Sequence, residues 1–304
     1  VIQLAGLGKT YRTGFLMHSK AALNAVDLSV GQGEIFGFIG PNGAGKSTTI
    51  KILTGLLRPS IGTARIMGKD PMNPVSRENL GYLPEHPYFY DYLTGYELLR
   101  FYGSIAGLKG ALLEERVQWA LKLLHADADW IHRRLRSYSK GMMQRMGLAQ
   151  AILTKPSLLI LDEPMSGLDP MGRRDVREAI LTLNREEGCT IFYSSHVLAD
   201  VESISHRVAM VVDGRIVRQG TVDEVTASEG NQYRIRLSKD IELPNGNLIS
   251  QVRTGEYLCQ DAASRDQLLQ LALQQGIGVE KLENNRPSLE EVLTREVAQE
   301  STHA

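Results

Sequence analysis

The stretch GPNGAGKST, residues 40–48, decides how the rest of the chain is read. Before it stands a short apolar run, EIFGFIG (34–40). After it comes KSTTIKILTGLL (46–57), with apolar residues at helical spacing. A glycine-rich turn between a buried strand and a helix is the setting a phosphate-binding loop requires. Gly40, Gly43 and Gly45 let backbone N–H groups close around an anion. The helix that follows adds a dipole that favours negative charge. Pro41, Asn42 and Ala44 complete the loop. In this reading Lys46 reaches the β- and γ-phosphates of a nucleotide, Ser47 offers its hydroxyl to Mg²⁺, and Thr48 supports the α- or β-phosphate. The plain alternative is a glycine-rich turn that binds nothing, and the strand–loop–helix setting argues against it.

The 304 residues suffice for about two domains and a large core. A net charge of −1 and a pI near 6.7 give no electrostatic case for a nucleic-acid partner. No run of 18 apolar residues is present, so no transmembrane helix is expected, and no secretory signal precedes the first strand. Cys189 and Cys259 read as free, buried thiols of a reducing compartment.

Residues 1–80 read as short strands (VIQLAGL, AVDLSV, EIFGFIG, TARIMG) with one helix after the loop. From about 88 to 155 the patterns are helical: GYELLRFYGSIAGL, LLEERVQWALKLL and KGMMQRMGLAQAIL. Strand-like runs return in SLLILDEP (157–164), CTIFYSSH (189–196) and RVAMVVDGRIVRQG (207–220), the last with an Asp213–Gly214 hairpin turn. From about 226 the chain starts afresh as a small α/β domain, with VTASEGNQ as the expected boundary.

LLILDEP places Asp162 at a strand end, where a phosphate-loop enzyme needs a carboxylate beside Mg²⁺. Strand alternation predicts that Glu163 points away from Asp162, so the two carboxylates should have different tasks. Asp162 would hold the metal's water shell, and Glu163 would act as general base on the attacking water. Ser139 is a good N-cap for the helix running through GMMQRMGLAQAIL. Its hydroxyl, the Gly141 N–H and the helix dipole could together face an anion.

GPNGAGKST (40–48), YSKGMMQR (138–145), LLILDEP (158–164), SGLD (166–169) and SSH (194–196) occur in one order. With them, residues 1 to about 225 resemble the ATP-binding subunits of ABC transporters. The resemblance implies an α/β P-loop NTPase core with an antiparallel β subdomain and a helical insertion, over 1–225. The remainder, 226–304, is then a small C-terminal accessory or regulatory α/β domain. It implies ATP and Mg²⁺ as ligands, and ATP sandwiched between two copies, with Ser139 and Gly141 of one facing the γ-phosphate bound by the other. It gives His196 a hydrogen bond to the γ-phosphate, Asp169 the orienting of the facing phosphate loop, and Tyr11 stacking on adenine. The stretch RTGFLMHSK reads as an insertion that separates Tyr11 from the next strand. The resemblance further implies a separate integral membrane subunit, a place at the cytoplasmic face of the membrane, and transport, with export expected from the YSKGM form of the signature.

The chain departs from the family in two places. Glu85 stands where a glutamine usually contacts Mg²⁺ and water, and a carboxylate can also ligate the metal. Lys140 and Met142 replace the usual glycine and glutamine of the signature, and Lys140 either adds a cation near the phosphates or faces solvent. Tyr88, Phe89, Tyr90 and Tyr92 crowd beside Glu85 and cannot all point inward, so some are expected to line the groove that receives the membrane subunit. The rival function is a soluble ABC-type ATPase acting on ribosomes or nucleic acid. One phosphate loop, no sustained heptads and a charge of −1 disfavour it.

Overall fold

The computed structural model describes residues 1–13, 18–126, 128–227, 232–241, 243, 248–285 and 287–303. They fall into two compact units, Val1–Gln219 and Gly220–Ala304.

The first unit is built on two sheets. Strands β1 (Ile2–Thr13), β2 (His18–Val30) and β4 (Ile61–Ile66) form an antiparallel sheet in the order β2-β1-β4. The second sheet runs β5-β6-β7-β3-β8-β9. Its strands are β3 (Ile35–Ile39), β5 (Leu80–Leu83), β6 (Leu158–Asp162), β7 (Thr190–Ser195), β8 (Arg207–Val212) and β9 (Arg215–Thr221). Pairings from β5 through β8 are parallel. β3, β6 and β7 are buried along their whole length, which is why their apolar stretches IFGFI, LLIL and IFY do not alternate with polar residues. Asp213 and Gly214 both have positive φ, the geometry a two-residue hairpin turn needs between β8 and β9.

Helix α1 (Lys46–Leu53) follows the phosphate loop and buries Ile50, Ile52 and Leu53 in the core shared with the antiparallel sheet. Phe192 stacks on Phe36 with centroids 6.0 Å apart and tilts against Phe38 at 5.5 Å. The helical insertion holds α2 (Gly95–Ile105), α3 (Gly110–Leu123), α4 (Ala128–Ile131) and α5 (Lys140–Ile152). α2 opens with a capping box made by Thr94 and Glu97. α6 (Pro170–Glu187) starts at an Asp169 cap with Pro170 in its first turn and stops at Gly188, which is left-handed. α7 (Leu198–Ile204) follows β7.

In the second unit, α8 (Val222–Ala227) packs on α10 (Leu289–His303). This unit therefore begins a few residues before 226, where the sequence placed the boundary; of VTASEGNQ, residues 228–231 lie outside the described ones. β10 (Gln232–Leu237), β11 (Ile249–Arg253), β12 (Glu256–Cys259) and β13 (Val279–Asn285) form an antiparallel sheet ordered β11-β12-β10-β13. α9 (Ala262–Gln274) lies on one face of it, and Ile235, Leu237, Tyr257, Cys259, Leu268 and Ala272 make the core. Both cysteines are free and buried.

Of the stretch RTGFLMHSK, residues 14–17 lie outside the described ones, and the remainder belongs to β1 and β2. Its described ends pair with each other, Arg12 with Ser19 and Thr13 with His18, so β1 and β2 form one long hairpin. Tyr11 is held in register opposite Lys20. Pairing between strands sets this, and neither strand alternates cleanly enough to announce its full length.

Removing the Phe192 ring from between Phe36 and Phe38 should cost the first unit about 3–5 kcal/mol. Urea denaturation of Phe192→Ala measures this. A loss under about 1 kcal/mol would show that the ring does not carry the sheet's packing.

Candidate nucleotide site

The phosphate loop takes its shape from contacts with other elements. A side chain at Gly45, which has φ 109°, would place its Cβ 2.6 Å from the Ala22 carbonyl oxygen and from a Leu23 methyl. At Gly40 a Cβ would lie 2.1 Å from the Val211 carbonyl oxygen on β8. Both positions are therefore closed to any residue but glycine, and the loop is clamped between β2 and β8.

Asn42, Gly43, Gly45, Lys46, Ser47, Thr48, Glu85, Glu163 and His196 line one cavity of about 380 Å³. Pro41 and Ala44 belong to the same loop, where the Ala44 N–H donates to the Pro41 carbonyl. The Lys46 ammonium donates to the carbonyls of Gly40 (2.6 Å) and Pro41 (3.2 Å) and lies 3.8 Å from Glu163 Oε1. Burial pulls its pKa below the ordinary lysine value, against the opposing pull of Glu163, Asp162 and Glu85. The Tyr11 hydroxyl stands 3.4 Å from Thr48 Oγ1, which brings the end of β1 to the phosphate loop.

Asp162 and Glu163 keep separate company. Asp162 Oδ1 accepts from Ser194 Oγ at 2.7 Å and from Ser47 Oγ at 3.4 Å. Glu163 Oε2 accepts from the His196 backbone N–H at 3.2 Å and stands 2.6 Å from His196 Nδ1. An ionised carboxylate only accepts, so His196 meets Glu163 with the proton on Nδ1 and has Nε2 left for another partner. The separation does not come from strand alternation. β6 ends at Asp162, and Glu163 sits at φ 53°, in the left-handed region. A non-glycine residue held there costs about 1–3 kcal/mol and is characteristic of functional sites.

Two residues that the sequence reading gave no role of their own hold this turn. Ser194 Oγ accepts from the Glu163 N–H at 3.0 Å while donating to Asp162, so one buried hydroxyl ties both carboxylate residues to β7. Gln144 on α5 donates to the Glu163 carbonyl at 3.3 Å and is buried. The available signal for Gln144 was its place in YSKGMMQR (138–145).

The oxygen donors fit a hard divalent cation: the Ser47 hydroxyl and the Asp162 carboxylate are adjacent, and Glu85 lines the same cavity. Among the described residues no group of three or more His, Cys, Asp or Glu could hold a metal ion alone. A Mg²⁺ ion here would share its ligands between the protein and phosphate oxygens.

The remaining candidates lie apart from this cavity. Ser139 is exposed and caps α5, accepting from the Met142 N–H at 3.2 Å; Gly141 is in the first turn. Asp169 is exposed and caps α6, accepting from the Gly172 N–H at 2.9 Å. None of the three lines the phosphate cavity. In the aromatic run only Phe89 is buried, against Tyr102. Tyr88 is 93% exposed, and Tyr90 and Tyr92 pack on one another at the surface.

A family model described as "ABC transporter" matches residues 23–166. An uncharacterized ABC transporter ATP-binding protein of Nostoc sp. is 43% identical over 238 residues, covering 78% of this chain and 70% of the relative. The chain belongs to the ATP-binding proteins of ABC transporters. It is accordingly an ATPase with a P-loop NTPase fold. The fluoroquinolones export ATP-binding protein of Mycobacterium tuberculosis is 40% identical over 241 residues, 78% of this chain and 76% of that protein. A solved ATP-binding subunit of an ABC transporter superposes with a TM-score of 0.67 at 32% identity, over 75% of this chain and 92% of the other.

Replacing Ser194 by Ala leaves the Glu163 N–H and the Asp162 carboxylate without their shared buried partner. We expect a stability loss of about 1–3 kcal/mol together with reduced ATP turnover. Urea unfolding and an ATPase assay check this, and wild-type values in both would show that the hydroxyl does not hold the turn.

Proposed function

We propose that this ATPase is the motor subunit of an exporter, that it closes on a second copy of itself around ATP, and that it drives a separate integral membrane subunit. The observation that carries the two-copy reading is the placement of Ser139. The exposed N-terminus of α5 offers a hydroxyl and helix N–H groups to an anion, yet it lines no part of the chain's own phosphate cavity. A second copy supplies the phosphate that it would meet. Asp169, also exposed and outside the cavity, is proposed to meet the same partner's phosphate loop.

Within one site, the loop N–H groups and Lys46 hold the phosphates, and Tyr11 supplies a flat face for adenine beside Thr48. Ser47, Asp162 and Glu85 are the proposed metal ligands. Mg²⁺, when bound, offsets charge on the transferred phosphoryl group. Glu163 orients the attacking water and takes its proton, its carboxylate fixed by His196 and Lys46. With Nδ1–H committed to Glu163, Nε2 is the His196 nitrogen left to meet a phosphate oxygen, to which it donates when it also carries a proton.

No helix among the described residues is long and apolar enough to cross a membrane, which fits a separate spanning subunit. Tyr88, Tyr90, Tyr92, Phe101 and Ile105 are exposed on the helical insertion, and Tyr90 meets Phe101 edge-on. This apolar patch is the proposed docking groove for the membrane subunit at the cytoplasmic face. Export as the direction rests on the signature and on the name of the M. tuberculosis relative.

Ser139→Arg should abolish ATPase activity while ATP still binds, because a bulky cation would fill the anion position contributed to the other copy. Turnover at the wild-type rate in this variant, with ATP binding intact, would contradict the two-copy site.

A further inference from the structure

Among the described residues the second unit has a strand paired on one side only at the edge of its sheet, and Lys281, Leu282 and Glu283 along it are complementary to themselves. β13 pairs with β10 on one side only; among the described residues no strand meets its other side. Residues 278–283 are all exposed. α9 makes its main contacts with β10, β11 and β12. Val279 and Leu282, opposite core residues Leu237 and Ile235, are therefore 45% and 48% exposed, and Leu273 on α9 is 81% exposed. An exposed edge with apolar residues is a template for another strand.

Charges along an edge usually block such pairing. Here they select a partner. Two identical strands joined antiparallel about a two-fold axis must pair residues of the same face. Centring on Lys281 sets lysine against lysine, and centring on Glu283 sets glutamate against glutamate. Centring on Leu282 sets Leu282 against its own copy and places Lys281 opposite Glu283 on both sides. Lys281 has a reason to accept this neighbour. Its cross-strand partner in its own sheet is Arg236, a like charge, while Glu283 stands opposite Arg234. A second copy would close a ring of alternating charge from Lys281 and Glu283 of each chain, which already pair within the strand at 2.7 Å.

The other edge offers nothing comparable. β11 centred on Gln251 would set Arg253 opposite Ile249. A β11-to-β13 contact is head-to-tail and does not close on two copies.

We propose that β13 pairs with β13 of a second copy, antiparallel about Leu282, joining the two sheets into one. The contact involves no residue of the phosphate site and requires no nucleotide, so it is independent of the ATP-dependent closure proposed above.

Sedimentation of the full-length chain without nucleotide tests it. The wild type should sediment as a dimer, and Lys281→Glu should raise the dimer Kd by about tenfold or more, because two attractive pairs become repulsive. Adding Glu283→Lys to that variant should restore the dimer, which a folding defect would not allow. Leu282→Cys should cross-link to itself with a short bismaleimide, and Val252→Cys, exposed on the opposite edge, should not. The native cysteines are buried and serve as the internal control. A monomeric nucleotide-free wild type, no rescue by the charge swap, or equal cross-linking at Val252→Cys would each overturn the proposal. ATP binding measured on the same variants stays at wild type, and ATP-induced association of Glu163→Gln reports separately on the ATP-dependent contact.

Discussion

Asp162 and Glu163 are neighbours in sequence but hold different partners, because the chain leaves β6 through the left-handed region between them. That turn lets Asp162 reach Ser47 while Glu163 reaches His196 and Lys46. It is strained, and it stands because three elements over-determine it. Ser194 on β7 holds its N–H, Gln144 on α5 holds its carbonyl, and Lys46 at the start of α1 faces its carboxylate. A buried Lys–Glu contact is weak evidence for stability and costs desolvation on both sides. Its value here is preorganisation: charges are fixed before a substrate arrives, so little reorganisation remains for the reaction itself. Gln144 also gives α5, whose N-cap is Ser139, a direct bond to the Glu163 backbone.

Much of this was legible in the sequence where a local rule decides the outcome. The phosphate loop falls between β3 and α1 as its glycines and flanking patterns required. Ser139 caps α5, and Asp213–Gly214 turns between β8 and β9. Asp162 ends its strand beside Ser47. What was hidden depends on distant partners. The φ of Glu163 cannot be inferred from a residue type that avoids it. The long β1–β2 hairpin that carries Tyr11 to Thr48 is set by cross-strand register, which a single strand's pattern does not encode. Ser194 looked like a small residue before a histidine, and its role appears only once β6 and β7 are paired.

The second unit shows the same division. Its mixed α/β character was legible, and α9 is capped by Asp261, whose side chain receives the Ser264 N–H. The free edge at β13 was not legible, because a strand's neighbours are a property of the sheet. Alternating lysine and glutamate around a leucine reads as an ordinary solvated face until that edge is seen to be unpaired. The two proposed contacts between copies differ in kind. One is made through ATP and opens on hydrolysis; the other is backbone pairing that nucleotide does not touch.

Energy from ATP turnover at the phosphate site is proposed to reach a membrane-embedded protein through the exposed aromatic patch at Tyr88 and Tyr90. The most direct measurement is purification of the tagged full-length chain from detergent-solubilised membranes of its source cell, beside a Tyr88→Ala/Tyr90→Ala variant. A multi-span membrane protein recovered in stoichiometric amount with the wild type, and lost with the variant, is the predicted result. Recovery of the wild type only in the soluble fraction, with ribosomes or nucleic acid, would leave the ATPase chemistry in place and contradict its coupling to transport.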